Sequence, residues 1–578
     1  MRVFQRALFN TNNELCDIRE MYFRTDSKEN FSDYFLLKKE QFFETSTYFN
    51  SLSVEKIKKY TNISDVSLQI EFKGSLKISF FHVNNNMESV KLFESKFDNL
   101  ERSTQTIALD EWDSIGNGLV YFRIDANDDV ELYNFCYSTN TLESQKVKLA
   151  IVITHFNRQD YLLPALKRIQ NDILGNNKNI DVIVSDNSQN LDFESFDRIK
   201  IYKNKNYGGS GGFSFGLLKA IEQDYTHCLF MDDDASTEME SILRTYSFLS
   251  FLKDSDSAIL GAMLFKERKN IQHENGSKCR NGFLAIHNQL NLSEVKDILI
   301  NNIVEEIEFG GWWFFAFKIN TVKYMPFPFF VRGDDVSFSL ANKFNIITFN
   351  GIASWQEDFN SKHNSYLEYL NIRSSFVMNL TRQFDGGLKG FIKLYLRTFL
   401  GGLLTYRYNS CVAAHFALND ILKGKNFWIK NIDMREKRDK IRSAFIYEKI
   451  IKTEEKKEIQ CTHFNRESEL KLKAYMRILF LNGILLPEFF LKKEVKDVLY
   501  YTPGLIEVFG YKKINYYNKD LSEFVECENN KFFIFKFLFL LFFDFFRIIL
   551  FVPFLYLFYS RIYNDLTSKK FWEKEFNF

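Results

Sequence analysis

CLFMDDDAS, Cys228 to Ser236, is an apolar run that stops at three consecutive carboxylates. An apolar run of this length fits a strand buried on both faces of a parallel sheet, and such sheets place ligand sites just beyond the carboxyl ends of their strands. The acids therefore stand where a site forms. Residues two apart on an extended chain project to the same side, so Asp232 and Asp234 converge while Asp233 is turned elsewhere. Paired carboxylates suit Mg²⁺ or Mn²⁺, which complete their coordination with substrate phosphates and water. The plain alternative is a polar turn closing a buried strand.

The preceding sequence repeats the pattern. VKLAIVITHFNR (147–158) runs from a continuous apolar strand into a polar turn and then the helical stretch YLLPALKRIQNDIL. A second apolar strand, IDVIVSDNSQ, ends at Asp186. A third unit, IKIYKNKNYGGSGGFSFGLLKAIE, passes through Gly208, Gly209, Gly211 and Gly212 into a helix before CLFMDDD. Strand, turn and helix in repetition predict an α/β domain with a mostly parallel sheet and crossover helices. The glycine cluster reads as a loop whose unobstructed N–H groups, ahead of a helix N-terminus, cradle a diphosphate. No Gly-Lys-Ser/Thr follows, so it is not a Walker loop, and it is not the GxGxxG of a dinucleotide fold.

The chain's 578 residues are 46% hydrophobic, enough for large cores and roughly two to four domains. Lys and Arg number 75 against 74 Asp and Glu, a balance that argues against a broad electrostatic footprint for nucleic acid. Seven cysteines, odd in number and without a CxxC pair, argue against a disulfide framework or zinc site and for a reducing compartment. MRVFQRALFNTNNELCDIRE carries acids and no continuous apolar core, so no secretory signal is expected there.

Residues 1–147 alternate short apolar segments with turns. VSLQIEF (66–72), LKISFFHV (76–83) and LVYFRID (119–125) have the period of strands, with breaks at Lys73-Gly74 and at the Asn and Gly clusters, and predict an antiparallel β-sandwich. Residues 148–384 make the α/β domain. Within it, FGGWWFFAFKI (309–319) pairs glycines with tryptophans, and MPFPFFVRGDDVSFSLANKF carries a second acidic site, Asp334 and Asp335, at a helix start. Carboxylates in a first helical turn are favoured by the dipole; the sharper reading is a general base. Residues 385–578 read as helical, with GFIKLYLRTFLGGLLTYRYN and CVAAHFALNDILKG predicting a bundle. The most apolar stretch, Lys531 to Leu566, is interrupted by Lys536, Asp544 and Arg547 and is expected to kink at Pro553. A charge at the centre of a lone span is costly, so one or two helices lying in the membrane interface are expected.

Taken in order, ITHFNR, VSDNS, NYGGSGGF and MDDDA resemble the nucleotide-sugar half of an inverting family 2 glycosyltransferase of the GT-A fold. NYGGSGGF together with FGGWWFF is similar to the polymerising galactofuranosyltransferases that use UDP-galactofuranose. TYFNSLSVEKIKKYTNISDVSLQIEFKG resembles that family's N-terminal sandwich, and RYNSCVAAHFALNDILKG its C-terminal helical region. The resemblance implies that Arg158 and Asp186 contact the uracil, that Asn206 holds the nucleotide at the mouth of Gly208 and Gly209, and that Asp233 lies on the donor side. It implies that Asp232 and Asp234 bind Mn²⁺ or Mg²⁺, that Trp312 and Trp313 stack on the acceptor, and that Asp335 is the base with Asp334 positioning it. Where the family carries Trp-His, this chain has Trp355-Gln356. Gln356 or His363 is then the further metal ligand, with Glu357 another candidate, and Lys362, Tyr369 and Arg373 sit on a helix that closes the site.

The same resemblance implies a UDP-sugar donor, a glycan or lipid-linked acceptor, a peripheral place on the cytoplasmic side of the cell membrane, and a homo-oligomer. Three alternatives stand beside it. One is a rhamnosyltransferase with a thymidine diphosphate donor, another a non-catalytic membrane-bound glycan-binding protein, and the third a metal-dependent nucleotidyltransferase.

Overall fold

The computed structural model describes residues 1–9, 15–193, 198–279, 282–358, 364–384, 386–453, 459, 471–500, 505–518 and 520–578. The chain divides into two units. The first holds Met1–Asn206, Gly212–Met325 and Phe338–Glu357, and the second holds Tyr207–Gly211, Pro326–Ser337 and Asp358–Phe578.

The first unit begins with an antiparallel sheet. Its long strands are β1 (Arg2–Arg6), β2 (Ser67–Val83), β3 (Ser89–Ala108), β4 (Leu119–Ala126) and β5 (Val130–Thr139). The expected break at Lys73-Gly74 is a bulge within one continuous 17-residue strand, β2. Gly74 holds φ +117°, and a Cβ there would stand 2.4 Å from the Asp129 carbonyl oxygen, so the kink requires glycine. The early half of β2 pairs β5 and the later half pairs β4, while β3 runs along its other edge. The antiparallel strands join in one nine-stranded sheet, in which a single strand is long enough to belong to both halves. Phe43, Phe122 and Phe135 meet inside it. Tyr48, Phe49 and Trp112 are buried. β3 is exposed along nearly all its length.

The apolar runs of the α/β region form β6 (Leu149–His155), α1 (Gln159–Arg168), β7 (Ile180–Asp186), β8 (Ile199–Lys203), α2 (Gly208–Glu222), β9 (His227–Asp232) and α3 (Met239–Phe251). Then come β10 (Ser257–Leu260), β11 (Ala262–Phe265), β12 (Phe315–Lys318), α4 (Asp334–Asn342), β13 (Asn345–Ile347) and β14 (Ala353–Gln356). The sheet order is β8-β7-β6-β9-β12-β10-β13. β6, β7, β8 and β9 are parallel, β12 runs antiparallel between β9 and β10, and β13 is parallel to β10. The mostly parallel α/β sheet read from sequence is present.

Buried polar contacts fasten the two sheets of this unit together. Arg244 of α3, fully buried, donates from Nη1 to the Phe49 carbonyl at 3.0 Å. Lys56 Nζ donates to the Asn301 carbonyl and to Thr348 Oγ1, at 3.0 and 3.1 Å, and burial pushes its amine down to about 7.

The second unit centres on α5 (Ser365–Leu380), α6 (Gly387–Leu404) and α7 (Tyr408–Leu422), which pack on one another. α8 (Lys531–Leu566) lies against all three, and α9 (Lys569–Phe576) ends the chain. The wholly helical expectation misses a four-stranded sheet of Lys449–Lys452, Glu523–Glu528, Tyr511–Tyr517 and Lys492–Leu499. α8 is one 36-residue helix that continues through Pro553, because tertiary contacts hold it on both sides of the ring. Asp544 accepts from Tyr395 Oη at 2.6 Å, pairs His415 Nδ1 at 2.6 Å and binds Arg547 at 3.1 Å. Tyr559 accepts from Trp428 Nε1 at 2.9 Å. The acid inside the apolar stretch is thus buried and fully partnered. The rest of the helix presents Phe535, Phe539, Phe542, Phe554 and Leu557 at 61–75% exposure, a far larger apolar face than water-soluble surfaces carry.

Candidate active site

β9 ends at Asp232, beside Thr154 of β6 in the parallel register. The chain turns through Asp233 and Asp234 and enters the short strand Ser236–Thr237, which pairs β14 with Ser236 opposite Trp355. That register places Gln356 next to the turn. Its Nε2 donates to Asp232 Oδ2 at 3.1 Å and to Asp234 Oδ1 at 2.9 Å. The convergence of these two acids, expected from their spacing, is what the structure shows.

Asp233 faces the other way and holds the turn after β6. It accepts from the Phe156 N–H at 3.0 Å, lies 3.2 Å from His155 Nδ1 and binds Arg158 Nη1 at 3.2 Å. Arg158 also reaches Asp234 at 2.5 Å. Partial burial would lower its affinity for a proton, but Asp234 and Asp233 outweigh that and hold the guanidinium charged. Asp233 and Arg158, expected on the donor, are here engaged with each other. His155, fully buried, is the partner the sequence reading passed over; its place at the end of β6 beside β9 was the available signal.

Asp186 is buried, and its carboxylate accepts from the N–H groups of Ser188, Gln189 and Leu191 at 2.9–3.1 Å and from Ser188 Oγ at 2.9 Å. It shapes the turn after β7. Asn206 closes the segment before α2. The glycine cluster is not a loop: Gly208 to Gly212 form the first turns of α2. Gly208 has φ +68°, and a Cβ at Gly212 would lie 2.2 Å from Thr154 Cγ2. The glycines serve close approach of helix and strand.

Trp312 and Trp313 are 4% and 6% exposed. Trp312 packs edge-on against Phe213, Phe230 and Phe338, and Trp313 Nε1 donates to the Gly261 carbonyl at 2.9 Å. They build the core behind the sheet and present no stacking surface, a correction to the acceptor role.

A divalent cation fits the Asp232, Asp234 and Gln356 set. Two carboxylate oxygens converge on one point, and Gln356 Oε1 is buried with no hydrogen-bond partner among the described residues. Turning the amide end for end directs this oxygen to the point its nitrogen occupies, making an all-oxygen set suited to Mg²⁺ or Mn²⁺. Among the described residues no group of three or more His, Cys, Asp or Glu side chains forms a metal cluster. His363 and Lys362 lie outside the described residues.

In the second unit, Asp334 and Asp335 open α4 after a strained approach, with Phe330, Arg332 and Gly333 at φ +74°, +72° and +85°. Non-glycine residues in this region are costly and cluster at functional sites. Arg373 and Ser374 of α5 brace the approach: Arg373 Nη2 donates to the Phe329 carbonyl, and a Cβ on Gly333 would meet Ser374 Oγ at 2.7 Å. Asp334 is buried and accepts from Ser210 Oγ at 3.1 Å. Burial first, and then the charge of Asp335, pushes its carboxyl up to about 7. Burial raises Asp335 too, with its Oδ1 accepting from the Val336 N–H at 2.8 Å. Asp335 keeps partial access to solvent.

Residues 150–290 match the family Glycosyl transferase family 2, and residues 4–140 match Galactofuranosyltransferase 2 N-terminal. Galactofuranosyltransferase GlfT2 of Mycolicibacterium smegmatis is 24% identical over 415 residues, covering 66% of this chain and 64% of that protein. Galactofuranosyltransferase GlfT2 of Mycobacterium tuberculosis is 23% identical over 417 residues, 66% of this chain and 65% of its own length. The chain thus spans just under two thirds of each. GalNAc(5)-diNAcBac-PP-undecaprenol beta-1,3-glucosyltransferase of Campylobacter jejuni is 29% identical over 181 residues, 30% of this chain and 52% of that protein.

Proposed function

We propose that this chain, similar to galactofuranosyltransferases in glycosyltransferase family 2, transfers galactofuranose from UDP-galactofuranose to a growing, lipid-linked cell-surface glycan, with inversion. The observation that carries the reading is the convergence of Asp232 and Asp234 on Gln356 at the carboxyl end of β9. This is the edge of a parallel sheet where ligands bind.

Asp232, Asp234 and Gln356 would hold a divalent cation, which when bound neutralises the charge of the departing uridine diphosphate. Arg158, fixed by the acids, keeps the turn after β6 in place and adds a positive charge beside the donor's phosphates. Asp335 accepts the proton of the acceptor hydroxyl as that oxygen attacks the anomeric carbon, a single displacement without a glycosyl-enzyme. Asp334, raised first by burial and then by its neighbour, positions Asp335 or the acceptor. α8 lies along a membrane surface rather than through it, on the cytoplasmic side. It packs on α5, α6 and α7 and buries residues from Ile534 to Leu566, and 36 residues extend about 54 Å, well beyond a bilayer core.

The test is incubation of the purified chain with UDP-galactofuranose, Mg²⁺ or Mn²⁺, and a synthetic lipid-linked glycan, read by mass. Addition of hexose with release of uridine diphosphate supports the reading, and absence of both refutes it. The glucosyltransferase relative makes UDP-glucose the comparison donor: turnover of that donor alone reassigns the sugar and keeps the reaction.

A further inference from the structure

α6 has two faces of different character. Phe391, Tyr395, Phe399 and Leu403 are buried against the bundle. On the adjoining face of the helix, Ile392, Leu396, Leu400 and Leu404 line an open groove of about 640 Å³, to which Leu505 also contributes. Lys389, Lys393 and Arg397 border the same groove at a spacing of four, which stacks them on one side of a helix. They are exposed, and α6 contains no acidic residue. Arg407 also lines the groove and is paired with Glu368 at 3.3 Å.

The segment 481–485 joins the rim of the groove to the start of α8. The Leu404 carbonyl accepts from Asn482 Nδ2 at 2.8 Å, and Lys531, the first residue of α8, donates to the Ile484 carbonyl. Between these contacts Leu481 and Leu485 are 45% and 53% exposed, and the first turns of α8 expose Phe532 and Phe535. An apolar trough bordered by cations thus lies near the apolar start of α8.

We propose that this groove binds an anionic glycerophospholipid, with one acyl chain along Ile392 to Leu404 and the phosphate against Lys389, Lys393 and Arg397. The volume falls within the range of single small-ligand pockets, about 300–1,000 Å³, room for one chain while the other stays in the bilayer. The walls offer few hydrogen-bonding groups of the kind a peptide needs, and the polar rim is of one sign. The inference rests on reading α8 as a membrane-surface helix and not on the transfer reaction.

Two measurements on the full chain test it. The first is co-sedimentation with vesicles of phosphatidylcholine alone and of phosphatidylcholine with phosphatidylglycerol. The triple variant K389Q/K393Q/R397Q keeps the binding to neutral vesicles that α8 provides. It loses the gain from phosphatidylglycerol by about a hundredfold, at roughly fivefold per basic residue. The second is titration with a short-chain phosphatidylglycerol below its micelle concentration. It saturates at one lipid per chain and weakens by about tenfold in Leu400→Trp, which fills the groove and keeps every charge. Retention of the phosphatidylglycerol gain by the triple variant overturns the proposal, as does unaltered or absent saturable binding in the titration. Failure of the native chain to bind neutral vesicles refutes the reading of α8, while the short-chain titration still judges the groove.

Discussion

Asp334 and Asp335 are neighbours with different surroundings, and the difference has a measurable sign. Asp334 ionises near 7 when folded against 3.8 for an ordinary aspartate. The folded state therefore favours its protonated form, and the stability this gives is present below about pH 4 and lost as pH rises toward 7. Asp334→Asn removes the loss: its melting temperature should exceed that of the native chain by a margin that grows as pH rises across that window, followed by calorimetry at stepped pH. Asp335→Asn should abolish transfer while leaving donor affinity within about twofold, read by kinetics and by titration with uridine diphosphate. At the first site, Asp232→Asn and Asp234→Asn should each cut cation-assisted binding of uridine diphosphate by tenfold or more, measured by titration calorimetry with and without Mg²⁺. The acids were legible because an apolar run ending in alternating carboxylates has one geometric outcome. The tryptophans were not: adjacent indoles look alike in sequence whether they face a sugar or a core, and only the rings around Trp312 decide.

Strands β6, β7 and β9 could be read because both their faces are buried, which leaves unbroken apolar runs. The sheet at 449–528 escaped because its strands are dominated by Lys, Glu and Tyr, so no apolar run marks them. α2 was misread as a loop because glycine is a poor helix former; here packing overrides propensity. A Cβ on Gly216 would lie 2.2 Å from Val152 Cγ1, so Gly216→Ala should destabilise by about 1–3 kcal/mol through overpacking, seen as a lowered denaturation midpoint. Asp544 similarly looked like an obstacle within α8 until its partners on α6 and α7 were seen. Asp544→Ala should cost roughly 3–5 kcal/mol by stranding His415 and Arg547. The opened helix should appear as faster proteolysis within 531–566.

The N-terminal sheet and the α/β sheet belong to one unit because buried donors of one satisfy carbonyls of the other, as Arg244 does for Phe49. No sequence pattern announces such a junction, since the groups that meet lie 195 residues apart. Arg244→Ala should lower the unfolding temperature of both sheets together, visible as one transition by near-ultraviolet dichroism and hydrogen exchange. The exposed strand β3 has its own consequence. Among the described residues it bonds to β2 on one side only and so offers an edge along which identical chains could template one another into fibrils. Lys91, Glu94, Lys96, Asp98, Glu101 and Arg102 stud that strand, and a copy stacking in parallel register would set each of these charges against its own kind, a repulsion that disfavours such growth.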